Sequence, residues 1–170
     1  MLFNPLQVGA LTLPNRVILA PLTRTRAGME HLPNDLMAEY YAQRASGGLL
    51  ITECTMVAPG TSAFINEPGI YSDAQIAAWK LTTDAVHAKG GRIFMQIWHA
   101  GRAAHPGING GARTVSSSAP SNTANLQCME PEPPRPFMTR TSMPASIRSL
   151  RAAGRAAALR YGVVPVPAVR

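Results

Sequence analysis

The sequence predicts an α/β protein built on a parallel sheet. Three apolar runs, Arg16 to Ala20 (RVILA), Leu49 to Val57 (LLITECTMV) and Arg92 to Trp98 (RIFMQIW), have the length of buried strands. Two stretches with helical periodicity separate them, and a Gly-Gly pair closes each helix just before the next strand. Strand, helix and strand in alternation with short returns require parallel pairing and right-handed crossovers.

The elements follow in order. Phe3 to Asn15 alternates apolar and polar residues on both sides of Gly9-Ala10, so it predicts a β-hairpin. Pro21 ends the first buried strand, and a polar loop begins at Leu22-Thr23-Arg24. Asn34 to Arg44 predicts a helix with Leu36, Met37, Tyr40 and Tyr41 as its apolar stripe. After the second strand, a loop containing Pro and Gly runs to Tyr71. Ser72 with Gln75 three residues on is a capping box, opening a helix that faces inward through Ile76, Trp79, Thr83 and Val86. In the third strand, period-two alternation places Phe94, Gln96 and Trp98 on one face, at the end where parallel α/β proteins build ligand sites. The same residues also suit a buried strand whose glutamine satisfies a neighbouring backbone group. A loop rich in Gly, Ser and Asn, 101 to 125, is expected to lie over that end on a barrel or a doubly wound sheet.

The chain has 170 residues, 46% hydrophobic and 15% charged, enough for one domain with a core. No run approaches the ~18 apolar residues of a membrane span. The first residues lack the layout of a signal peptide, so a cytoplasmic location is expected. Cys54 and Cys128 are too few for a disulfide framework or a zinc site, and no metal is expected. The net charge of +7 lies mostly in residues 128–170, where seven Arg face two Glu, so neither nucleic acid nor a membrane is expected as partner. That segment has seven Pro and no Lys, Asp, Asn, Gln, His or Trp. Ala145 to Tyr161 could form an Ala/Arg helix, and a basic binding module using it is the least favoured function class.

The blocks FNPLQVGALTLPNRVILAPLTR, MAEYYAQRASGGLLITECT, EPGIYSDAQIAAWK and MQIWHAGRAAHP stand in a known order and spacing. Through them the chain resembles the Old Yellow Enzyme family of flavin-dependent ene-reductases, particularly N-ethylmaleimide reductases. The resemblance covers Leu2 to about Leu126. It implies part of an eight-stranded (β/α) TIM barrel: the hairpin capping the bottom, about three strands and two helices. Residues 1–126 would be the FMN-binding part, and 127–170 an unrelated tail, irregular or helical. The composition break reads as out-of-frame translation of GC-rich DNA, or as a different genuine ending.

The resemblance also implies function: hydride passes from NAD(P)H through non-covalent FMN to an electron-poor alkene. Pro21 and Leu22 would contact the flavin through main chain, and Thr23 would bond its carbonyl edge and tune its potential. Cys54 would sit beside the ring system and Gln96 at the pyrimidine edge, with Phe64 and Trp98 as walls of the substrate pocket. Donors such as a Thr hydroxyl and a Gln amide suit that edge because reduction builds negative charge there. Cys54 reads as a small packing residue rather than a redox group. The family's His-x-x-His or His-x-x-Asn pair and the proton-donating Tyr that follows it are not found, since no histidine follows His105 and Tyr161 is the only tyrosine after Tyr71. The phosphate-binding backbone of the late strands is not recognisable either. Weak FMN binding, little ene-reduction, and self-association through an exposed barrel edge are therefore expected, and an inactive remnant is the alternative reading.

Overall fold

The computed structural model describes residues 1–115. The expected tail 127–170, its Ala145 to Tyr161 helix and the end of the 101–125 loop lie outside the described residues.

Strands β1 (Leu6–Val8) and β2 (Leu11–Leu13) form the expected antiparallel hairpin, with Val8 opposite Leu11 across the turn. Gly9 supplies the left-handed backbone (φ 57°) that so tight a connection needs. β3 (Ile18–Leu19), β4 (Leu49–Ile51) and β6 (Ile93–Phe94) make a parallel sheet in sequential order. A shorter parallel pair, β5 (Thr55–Met56) with β7 (Ile97–Trp98), continues β4 and β6 towards their C-terminal ends. Among the described residues β3 and β6 are both edge strands.

Helix α1 (Asp35–Ala42) lies between β3 and β4, and α2 (Asp73–His87) between β5 and β6. Asn34 caps α1 by accepting from Met37 N at 3.2 Å. The capping box of α2 is formed in both directions, Gln75 N to Ser72 Oγ and Ser72 N to Gln75 Oε1. Both helices pack on the same face of the sheet. Met37 and Tyr41 of α1, Trp79 and Val86 of α2, Leu50 of β4 and Ile93 of β6 share one buried cluster with Ala27 and Ala45. Sequential strand order with both helices on one face is the progression of a (β/α) barrel; a doubly wound sheet would place helices on both faces.

Two expectations are corrected. Leu36, assigned to the inward stripe of α1, is 57% exposed, because the core takes Met37 and Tyr41 and leaves their neighbour turned about 100° away. The second and third strands are each interrupted. Ile51 pairs with Phe94 and Thr55 with Ile97, so four steps along one chain match three along the other. The extra residue is a bulge. Across the gap Thr52 Oγ1 accepts from Gln96 N at 3.0 Å, while Thr55 N donates to Gln96 O at 2.9 Å.

The hairpin is tied to the N-terminal ends of β3 and β4. Asn15 Nδ2 donates to Ser46 O at 2.9 Å, and Gly48 N to Val17 O at 2.8 Å. Gly48 is required by close approach, since a Cβ there would run into the carbonyl of Asn15. At the other end Glu67 is buried in the loop between β5 and α2. Its Oε1 accepts from Ala63 N at 3.0 Å, while Oε2 is buried with no partner among the described residues. Burial raises its pKa to about 7, with the Glu53 charge adding to the rise.

Two measurements test these contacts. Gly48→Ala should cost about 1–3 kcal/mol in chemical unfolding, because the collision is with backbone. An unchanged midpoint would contradict the close approach. A raised carboxyl pKa favours the folded state at low pH, and that stabilisation is lost as pH rises from about 4.5 through about 7. Glu67→Gln keeps the acceptor for Ala63 and removes the ionisation. It should flatten this part of the stability profile, to which one carboxyl group contributes a slope of at most about 1.4 kcal/mol per pH unit. Equal slopes in parent and variant would contradict the assignment.

Candidate active site

The candidate residues come from three separate strand ends. Thr23 lies in the loop after β3, and its Oγ1 is 2.6 Å from Cys54 Sγ, which sits in the bulge between β4 and β5. Gln96 stands between β6 and β7, with its backbone held by Thr52 and Thr55 on either side of Cys54. Ile93 and Met95 pack on the helix side of the sheet, so alternation leaves Phe94 and Gln96 on the opposite face. Trp98 follows in β7, and its ring stacks on Phe64 with centroids 6.0 Å apart and planes at 16°. Pro21 and Leu22 are exposed beside Thr23.

The described part of the 101–115 segment is fastened to the loop that carries Phe64. Asn109 Oδ1 accepts from Ser62 N, and Asn109 Nδ2 donates to Ser62 O, both at 2.8 Å. Two short 3-10 turns, Gly101–Ala103 and Pro106–Ile108, shape the segment.

Donors remain available at this end of the sheet. Trp98 Nε1 is buried and makes no hydrogen bond among the described residues. His99 Nδ1 accepts from Gly101 N at 2.9 Å, which places the proton on Nε2, and Nε2 is likewise buried without a partner. Burial lowers the His99 pKa, so the ring is neutral at pH 7. The side-chain amide of Gln96 has no partner among the described residues and offers both a donor and an acceptor. A hydroxyl, a carboxamide and an aromatic wall at one rim fit the imide edge and flat face of a flavin.

Sequence reasoning missed Glu53. This residue is 1% exposed, its Oε2 accepts from Arg24 N at 2.9 Å, and Tyr41 OH lies 3.4 Å from Oε1 while accepting from Glu53 N at 2.8 Å. Burial raises its pKa, against the lowering effect of the Arg24 and Thr25 backbone N–H groups. An acidic residue inside the run LLITECTMV was the available signal, since a buried charge needs a reason. A cleft of about 160 Å³ lined by Arg24, Arg26, Leu36, Met37, Tyr40 and Glu53 opens towards α1 and includes none of the predicted site residues.

Comparison with known proteins agrees with this geometry. The model of the NADH:flavin oxidoreductase / NADH oxidase family matches residues 1–169. Chanoclavine-I aldehyde reductase fgaOx3 of Penicillium roqueforti is 53% identical over 129 residues, covering 73% of this chain and 35% of its own. A probable flavin mononucleotide-dependent alkene reductase of Leishmania infantum is 44% identical over 126 residues, covering 74% and 34%. The solved old yellow enzyme homologue from Zymomonas mobilis superposes with a TM-score of 0.82 at 39% identity, covering 95% of this chain and 46% of that one. The chain thus spans about a third of the length of these curated relatives. A family model matching residues 1–169 and a barrel arrangement shared with solved relatives place the chain in the NADH:flavin oxidoreductase / NADH oxidase family, the Old Yellow Enzyme group, whose cofactors are FMN and NAD(P)H.

Proposed function

We propose that this chain carries the flavin-edge site of an FMN-dependent oxidoreductase that takes hydride from NAD(P)H and passes it to a small electron-poor alkene. The observation behind this reading is the convergence of Thr23, Cys54 and Gln96 at the C-terminal ends of parallel strands. FMN, when bound, supplies the two-electron hydride relay between nicotinamide and alkene. The Thr23 hydroxyl and the Gln96 amide would donate to the carbonyl edge, where they favour the added negative charge. Gln96 can also accept from the imide N–H. Pro21 and Leu22 would meet the ring through their backbone.

On the substrate side, the stacked pair Phe64 and Trp98 forms an apolar wall that orients a flat conjugated molecule and excludes water. The buried Trp98 Nε1–H, without a partner among the described residues, would supply a donor beside that wall. The probable alkene reductase of Leishmania infantum carries the proposed chemistry in its name, which supports the choice of substrate class.

The test is an FMN titration of the 170-residue protein, followed by quenching of flavin fluorescence. Saturable binding is expected. Thr23→Val and Gln96→Leu should each weaken it about five- to tenfold, as for one lost hydrogen bond. Binding that is absent, or equal in the parent and both variants, would contradict the proposal.

A further inference from the structure

We infer that Glu53 and Cys54, consecutive at the bulge after β4, are positioning residues for Thr23: the Cys54 thiol donates to Thr23 Oγ1, and the Glu53 carboxylate holds the loop that carries Thr23. This rests on the reading that Thr23 faces the FMN carbonyl edge.

The argument begins with one proton. Thr23 Oγ1 and Cys54 Sγ are 2.6 Å apart, and geometry allows either to donate. If Thr23 donates to sulfur, its only hydroxyl proton goes to a weak acceptor and none remains for a ligand carbonyl. If the thiol donates, the hydroxyl oxygen is the better acceptor, and its own proton points onward. The two bonds in series then polarise each other. Only a protonated thiol can do this. Burial raises the Cys54 pKa, the Thr23 hydrogen bond lowers it, and the Glu67 and Glu53 carboxyl groups raise it again; the net rise keeps the S–H at neutral pH. These carboxyl groups act on it from the β5–α2 loop and from its own segment; Arg24, next to Thr23, has its backbone N–H bound to Glu53.

Glu53 fixes the other side. Its Oε2 accepts from Arg24 N at 2.9 Å, and the neighbouring Thr25 backbone N–H acts with it to lower the carboxyl pKa against burial. Thr25 has φ 56°, a left-handed conformation uncommon for a β-branched residue and kept only where its surroundings hold it. Tyr41 locks Glu53 in turn by accepting from its backbone N–H at 2.8 Å. Thr23 is therefore held through its hydroxyl by one residue and through its loop by the preceding one.

The test reads the S–H stretching band in the infrared, in the full chain carrying Cys128→Ser so that Cys54 is the only thiol. The band is expected below that of an alkanethiol in an apolar solvent. Thr23→Val should move it up to that free position, Thr23→Ser should leave it in place, and Glu53→Gln should broaden it towards the free position. A parent band already at the free position, or one that Thr23→Val does not move, overturns the thiol as donor. A band untouched by Glu53→Gln overturns the role of Glu53. The parent band alone decides the donor should Thr23→Val not fold. In the FMN complex, Cys54→Ala should shift the flavin potential to more negative values, whereas Cys54→Ser should restore it; equal potentials in all three overturn the positioning role. Failure to bind FMN would count against the proposed function and leave the infrared result standing.

Discussion

One extra residue between Ile51 and Thr55 decides where this molecule places its chemistry. A regular parallel ladder would continue β4 straight into β5 and keep every side chain in strict alternation. The bulge breaks that alternation at Glu53 and Cys54, and the ladder resumes at Thr55 opposite Ile97. Thr52 repairs the gap by accepting from Gln96 N. The interruption thus fixes the backbone of Gln96 and turns Cys54 to Thr23, coupling three strand ends through a single defect.

The defect carries an energetic cost that the surroundings partly offset. Glu53 and Glu67 are both nearly fully buried, and burial disfavours their charged forms. Glu53 recovers part of the loss through backbone donors and Tyr41, whose ring is itself packed in the core against Trp79. Among the described residues Glu67 recovers less, since one of its oxygens is unpartnered there. An apolar residue at either position would avoid that cost but would leave the loop amide it holds, Arg24 N or Ala63 N, without its acceptor. A carboxyl group can bind two loop amides at once, which an apolar side chain cannot do, and this accounts for Glu53 beside a loop that must be held still.

Much of the architecture was legible in the sequence because local signals agree with tertiary ones. Ser72 with Gln75 marked the start of α2, the apolar stripe of Asn34 to Arg44 marked α1, and the apolar runs found their strands. Leu36 was misplaced because the core takes Met37 and Tyr41, with Tyr40 packed beside them, and periodicity alone does not choose which flank of the stripe is buried. The bulge left no trace in the hydrophobic pattern, since LLITECTMV reads as continuous whether or not the ladder is. The site was legible mainly through resemblance: Thr23, Cys54, Gln96 and Trp98 are far apart in sequence, and no spacing rule brings them to one rim. Geometry added the Thr23–Cys54 contact and the role of Glu53.

The central claim, that this rim receives a flavin, is tested most directly by the two indole N–H signals in a proton–nitrogen NMR spectrum of the nitrogen-labelled protein. Trp79 Nε1 donates to Gly69 O at 3.1 Å in the core, whereas Trp98 Nε1, two residues beyond Gln96, is buried with no partner among the described residues. Addition of FMN should move the Trp98 signal and leave that of Trp79 in place. A Trp98 signal that stays fixed at saturating FMN, or one that moves no more than the Trp79 signal, would contradict the account.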